Sequence, residues 1–193
     1  MSTKHPVIVI TGSSGAGTTT VKDTFEKIFT REKVTAAFIE GDAFHKYDRA
    51  GMKAKIAEED ARGNRHFSHF AAEANELDRL QSVFQEYGLR GTGKTRHYIH
   101  DEKEAELCGT PPGTFTEWGD LPPSDLLFYE GLHGCVVHDD VDLPRHADLK
   151  IGVVPVINLE WIQKIHRDKA TRGYSAEAVT DTILRRMPDY VNY

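Results

Sequence analysis

The chain has 193 residues, 39% of them hydrophobic, enough to fill one core without requiring a second domain. Its 24 Lys and Arg against 30 Asp and Glu leave a net charge of −6, which argues against an extended nucleic-acid surface and for small-molecule partners. Cys108 and Cys135 are far apart and form no CxxC pair, so neither a disulfide framework nor a zinc site is expected, and a reducing cytoplasm is the expected compartment. The N-terminal apolar run stops at a glycine loop, too short for an export signal or a membrane span.

In chain order, Val7 to Ile10 reads as a buried strand that runs directly into TGSSGAGTTT, Thr11 to Thr20. A helix follows, with Val21, Phe25, Ile28 and Phe29 recurring at helical spacing as one apolar stripe against a sheet. Ala36 to Ile39 is a second strand, ending in Glu-Gly-Asp with Asp42 just beyond. Arg49 to Ala61 is helical and highly charged. A better amphipathic helix spans Ala71 to Tyr87, with Leu77, Leu80, Phe84 and Tyr87 facing inward and Gly88 as its stop. Gly88 to Ser124 reads as an excursion from the core with short β-like pieces. Leu126 to Gly131 and Leu149 to Val156 are two further apolar runs. Continuously apolar strands separated by helices predict an α/β fold with a mainly parallel sheet flanked by helices in three layers.

Two segments compete as phosphate loops. GLRGTGKT, Gly88 to Thr95, contains the usual lysine, but a helix precedes it and an extended segment follows. A phosphate loop works because a strand delivers it and a helix N-terminus follows, so that backbone amides and the helix dipole converge on the anion. The earlier segment has that context although Thr18 replaces the lysine. Gly12, Ser13, Ser14, Gly15, Ala16, Gly17, Thr18, Thr19 and Thr20 are therefore the expected nucleotide contacts, with a hydroxyl of Thr18 or Thr19 for Mg²⁺ or a phosphate oxygen.

The missing charge must come from elsewhere. In NLEWIQKIHRDKATRGYS, helical spacing puts Lys164, Arg167, Asp168 and Arg172 on one polar face, with Leu159, Ile162 and Ile165 as the apolar positions. Gly173 then permits a turn, so this helix could close over phosphates as a lid. Asp42 and Glu130 each follow the carboxyl end of a predicted strand, the edge where open α/β sheets bind ligands. Glu130 suits Mg²⁺ or its bound water, and Asp42 suits proton acceptance from an attacking hydroxyl. After Asp42, the residues His45, Arg49 and Lys53 recur every four positions, a stripe that on one helical face would suit a sugar phosphate. His66 and His69, like His97 and His100, lack the helical HExxH form and a third ligand, so no zinc site is read from them.

These blocks, together with FSHFAAEANEL, PPGTFTEW and DLLFYEGLHG, resemble phosphoribulokinases of the bacterial type in their order along nearly the whole chain. The resemblance implies a P-loop NTPase-like fold and Mg²⁺-ATP-dependent phosphorylation of D-ribulose 5-phosphate to ribulose 1,5-bisphosphate in the Calvin cycle. It makes Asp42 the general base, Glu130 the Walker B acid, and Thr19, Glu130 and Asp42 the groups around the metal. It makes His45, Arg49 and Lys53 sugar-phosphate contacts, adds His100 to them, and assigns Lys164, Arg167, Asp168 and Arg172 to a lid. It further implies a chain continuing past Tyr193, so that 1–193 is one P-loop kinase domain incomplete at its C-terminus. A homo-oligomer, octameric in similar enzymes, and NADH as an allosteric activator are implied in the same way. No nucleic-acid or membrane partner is expected.

Overall fold

The computed structural model describes residues 4–188, apart from the side chains of Thr171 and Arg172. The elements are β1 (Val7–Thr11), α1 (Thr18–Glu32), β2 (Ala36–Glu40), α2 (Arg49–Ala61), α3 (Leu77–Arg90), β3 (Lys94–Thr95) and α4 (Glu102–Cys108). They continue as β4 (Gly119–Asp120), β5 (Leu126–Gly131), β6 (Val137–His138), β7 (Val141–Asp142), β8 (Leu149–Gly152), α5 (Ile157–Arg172) and α6 (Ala176–Arg185).

Strands β2, β5, β1 and β8 form one parallel sheet in that order. Alternate side chains enter two separate cores, as the two-residue repeat of a strand requires. Ile10 and Phe128 pack with Phe25 and Phe29 of α1 on one face. Val9, Ile39, Leu127 and Tyr129 pack with Leu77, Leu80, Phe84 and Tyr87 of α3 on the other. The result is the expected three layers, with α1 and α3 covering opposite faces because each presents an apolar stripe to the sheet.

Five local expectations need correction. Ile28 is 38% exposed, because the stripe of α1 that meets the sheet is carried by Val21, Phe25 and Phe29 alone. Helix α3 begins at Leu77 after a short 3₁₀ turn over Ala72–Ala74, and it runs through Gly88 to Arg90. Gly91, in the left-handed conformation, is its actual stop. The excursion contains a helix, α4, that apolar periodicity did not show because none of its residues is buried. The run Leu149 to Val156 is a strand only as far as Gly152, at the sheet edge, with Leu149 45% and Val154 90% exposed. The connection from β5 to β8 carries a small hairpin and a 3₁₀ turn over Leu143–His146 in place of a crossover helix. Among the described residues, no helix is long and apolar enough to cross a membrane.

Candidate active site

The loop after β1 turns into α1 at Gly17, whose φ of 100° is a left-handed value that costs other residues steric strain. No side chain caps the first turn of α1, so its amides face the loop without a protein carboxylate among them. Thr18, at the lysine position of the motif, is buried, and its hydroxyl hydrogen-bonds Glu130. Thr19 and Thr20 are exposed at the start of α1. Burial pushes the Glu130 carboxyl above its ordinary range, opposed by the Thr18 bond and reinforced by nearby Asp42 and Glu40. Lys22, one turn along α1, is 3.3 Å from Glu40 and adds a positive charge to this acidic corner.

Asp42 and Glu130 converge because β2 and β5 end in register, Glu40 opposite Glu130. A Cβ on Gly131 would lie 2.7 Å from the Tyr129 hydroxyl oxygen and 2.8 Å from Gly41 Cα, so only glycine lets the two strand ends approach this closely. Asp42 sits in the 3₁₀ turn Gly41–Phe44 that leaves β2, with its side chain 41% exposed. Two histidines flank its carboxylate, His45 Nε2 at 3.5 Å and His100 Nε2 at 3.6 Å. The His45 ring lies 4.3 Å from that of His69, and His133 Nε2 contacts the Phe70 carbonyl at 3.1 Å. Desolvation lowers the imidazoles of His45, His69 and His133, the last to about 4, so they are neutral at physiological pH. His45 therefore meets Asp42 as a neutral N–H donor and leaves the negative charge on the carboxylate.

His45 is not on the face of α2, which corrects the predicted stripe. The chain must turn out of β2 before a helix can start, and Asp48 starts it by accepting a 2.6 Å bond from the Gly51 amide. Arg49 opens α2, and its guanidinium donates to the His100 carbonyl at 2.7 Å. Lys53 is exposed one turn further on.

Helix α5 lies across the phosphate loop with its charged face toward the loop. Lys164 and Asp168 are buried, whereas Leu159 and Ile162 are 49% and 53% exposed. Polar burial is tolerated because the groups satisfy one another. Lys164 Nζ is 3.2 Å from Asp168, and Arg167 donates to the same carboxylate at 2.9 Å. Both cations also reach Ser14 Oγ, at 3.4 and 3.1 Å, while Ser13 Oγ donates to buried Glu160 at 2.5 Å. Burial pushes the Lys164 ammonium down to about 8 despite Asp168. The Arg172 side chain, the last predicted lid group, lies outside the described residues.

The second glycine segment occupies the other end of α3. Lys94 pairs with exposed Asp120 at 3.6 Å within the β3–β4 hairpin, and no helix starts directly after it, α4 beginning only at Glu102. Sequence reasoning missed four groups that the structure gathers here: His69, His133, Glu160 and Arg186. The first was weighed only as a metal ligand. Glu160 was legible by extending the spacing of Lys164 and Asp168 back by one turn. Arg186 follows α6 and acts electrostatically on His45, His69 and Lys164, a placement that only the docking of α6 on α5 creates.

Among the described residues no three His, Cys, Asp or Glu side chains are placed to cage a metal. The two convergent carboxylates and the Thr18 hydroxyl are nevertheless hard oxygen donors, which fit Mg²⁺ when phosphate oxygens complete its shell. Loop amides, paired carboxylates and helix-borne cations thus meet at the carboxyl edge of one parallel sheet, the arrangement of the P-loop kinases.

Known proteins narrow this class. Residues 7–193 match the model of the phosphoribulokinase / uridine kinase family, and the chain belongs to that family. It is 75% identical over 193 residues to a phosphoribulokinase of Rhizobium meliloti (strain 1021), covering all of this chain and 66% of that relative. Identity to a phosphoribulokinase of Nitrobacter vulgaris is 68% over 194 residues, covering all of this chain and 67% of the relative. The structure of phosphoribulokinase from Rhodobacter spheroides superimposes with a TM-score of 0.83 at 60% identity, over 97% of this chain and 64% of the other. A possible uridine kinase from Bacillus stearothermophilus shares the fold alone, at 12% identity and a TM-score of 0.53 over 100% of this chain and 88% of the other. The chain therefore spans about two thirds of the length of the curated relatives it matches.

Proposed function

We propose that the protein transfers the γ-phosphoryl group of Mg²⁺-ATP to the 1-hydroxyl of D-ribulose 5-phosphate, as a phosphoribulokinase of the Calvin cycle. One observation carries the reading: in a chain 75% identical throughout to a phosphoribulokinase, Asp42 and Glu130 converge beside a phosphate loop on which Lys164 and Arg167 are docked. Gly12 to Thr20 hold the nucleotide phosphates through backbone amides and hydroxyls. Asp42 accepts the proton of the attacking hydroxyl, oriented by neutral His45 and by His100. Glu130, Asp42 and a threonine hydroxyl would hold Mg²⁺, which would neutralise charge on the phosphates when bound. Lys164, Arg167 and Arg172 stabilise the charge developing on the transferred group, and Asp168 keeps the first two aligned. Arg49, Lys53 and His100 take the sugar phosphate together with His45.

The reading extends to a cytoplasmic homo-oligomer activated by NADH, on the resemblance to bacterial phosphoribulokinases. Gel filtration and turnover with and without NADH check those two points. For the reaction itself, ADP release by the full-length protein should be rapid with ATP and ribulose 5-phosphate and at background with ribose 5-phosphate or uridine. Equal rates with uridine would move the protein to another branch of its family. Asp42→Asn should lower turnover by about 10²- to 10⁴-fold, and near-normal turnover would remove Asp42 as the base.

A further inference from the structure

The carbonyls from Asp42 to His45, in and just after the 3₁₀ turn Gly41–Phe44, each accept a hydrogen bond. The Asp42 carbonyl accepts from the His45 amide at 3.2 Å, and the Phe44 carbonyl accepts from the Glu76 amide at 2.7 Å. The carbonyls of Ala43 and His45 are taken by one side chain from outside the turn. Arg96 Nε donates to the Ala43 carbonyl at 2.8 Å, and Arg96 Nη2 donates to the His45 carbonyl at 2.7 Å. The same Nη2 donates to Glu76 Oε1 at 3.1 Å.

The guanidinium is itself held from several directions. It lies 3.7 Å from the ring centroid of Phe115 and 4.7 Å from that of Trp118, and only 13% of the side chain is exposed. Arg96 follows β3 and Phe115 precedes β4, so the same hairpin supplies both the fork and its platform. The hairpin also leads to His100, the second imidazole on Asp42. GTGKTRHYIH, set aside as a phosphate loop, thus has a purpose in this arrangement through the residue after its threonine.

We infer that Arg96 is a positioning residue for phosphoryl transfer: its planar fork clasps the two carbonyls on either side of Phe44 and holds Asp42 and His45 in register with the hairpin that brings His100. Lysine cannot replace it, because a single ammonium does not span two carbonyls and does not stack as a plane on Phe115. Displacing a reacting group by about 1 Å costs up to about 10²-fold in rate, so the clasp acts on turnover without touching substrate. The inference rests on the kinase reading above.

The test compares the full-length protein with Arg96→Lys and Arg96→Gln. Both variants should lose about 10- to 100-fold in kcat with ATP dissociation unchanged within about twofold, since the phosphate loop is at a different strand end. Amide exchange should accelerate at residues 41–48 while β1 and β5 keep their protection, and ethylguanidinium added to an Arg96→Ala variant should restore part of the lost kcat. Full turnover in Arg96→Lys, or exchange unchanged in the turn, would overturn the clasp. So would loss of protection across the whole sheet with no recovery by ethylguanidinium, which marks a purely structural arginine. If Arg96→Gln does not fold, Arg96→Lys decides alone. A parent protein that releases no ADP with any acceptor would sink the kinase reading, and exchange in the turn would still decide the clasp.

Discussion

Helices α3 and α5 both lie against the central structure, and they bury opposite kinds of face. In α3 the apolar positions Leu80, Phe84 and Tyr87 are at most 1% exposed, as their spacing predicts. In α5 the same rule puts Leu159 and Ile162 inward, yet Glu160, Lys164 and Asp168 are the residues at 3–4% exposure. The first helix is selected for packing, where transfer of hydrocarbon out of water dominates. The second rests on a polar loop whose hydroxyls, together with an internal ion pair, satisfy its charges. Hydrophobic periodicity therefore locates the buried face only where the neighbour is also apolar.

This contrast can be broken experimentally. Phe84→Ala should cost about 3–5 kcal/mol of stability, read from the denaturant midpoint, because the ring is fully buried and edge-on to Tyr129 at 5.3 Å. The folded fraction should keep its KM for ATP. A loss below about 1 kcal/mol would mean that α3 is not part of the core.

Lys164→Met should do the reverse, lowering turnover by about 10²- to 10³-fold with little change in melting temperature, since it removes a buried charge whose partner Asp168 keeps Arg167. Melting that collapses while single-turnover chemistry survives would make Lys164 a structural cation.

The pH dependence has a definite sign. With Lys164 pushed down to about 8, kcat/KM for ATP should be level below that pH and fall about tenfold per unit above it. Arg167, Arg186 and Asp168 face Lys164 without reversing this direction. Lys164→Arg, charged throughout, should abolish the limb, and an unchanged profile would assign it elsewhere. Between about 8 and the ordinary 10.5 the folded state holds fewer protons than the unfolded one, so this group makes stability rise with pH across that window.

Two smaller effects complete the contrast. Ile162→Gln, on the outer face of α5, should change stability by no more than about 0.5 kcal/mol in chemical denaturation, whereas a core-sized loss would show that another part of the full-length protein covers that face. Lys94→Met should leave turnover within about twofold, because its ion pair with Asp120 is exposed on both sides. A larger loss than for Lys164→Met would reverse the choice of phosphate loop.

Much of the architecture was legible in the sequence because it follows from local rules. Strand runs such as Leu126 to Gly131, the glycine loop between strand and helix, and the inward set of α3 depend on periodicity and on neighbours a few residues apart. Asp42 and Glu130 were legible for the same reason, since each ends an apolar run. The stripe of His45, Arg49 and Lys53 failed because a spacing of four carries meaning only inside a helix, and Asp48 begins that helix three residues after His45.

The sequence by itself determined the parallel α/β layering, the strand-delivered loop and the acidic strand ends, all of them consequences of local pattern. Only the tertiary structure decided that Thr18 faces Glu130, that neutral histidines flank Asp42, that Arg96 clasps the turn, and that Lys164 and Asp168 of α5 are buried together against the loop. The physical reason is desolvation. Which polar groups leave water together depends on contacts between residues as far apart as Ser14 and Arg167, and such contacts are set by the packing of whole layers.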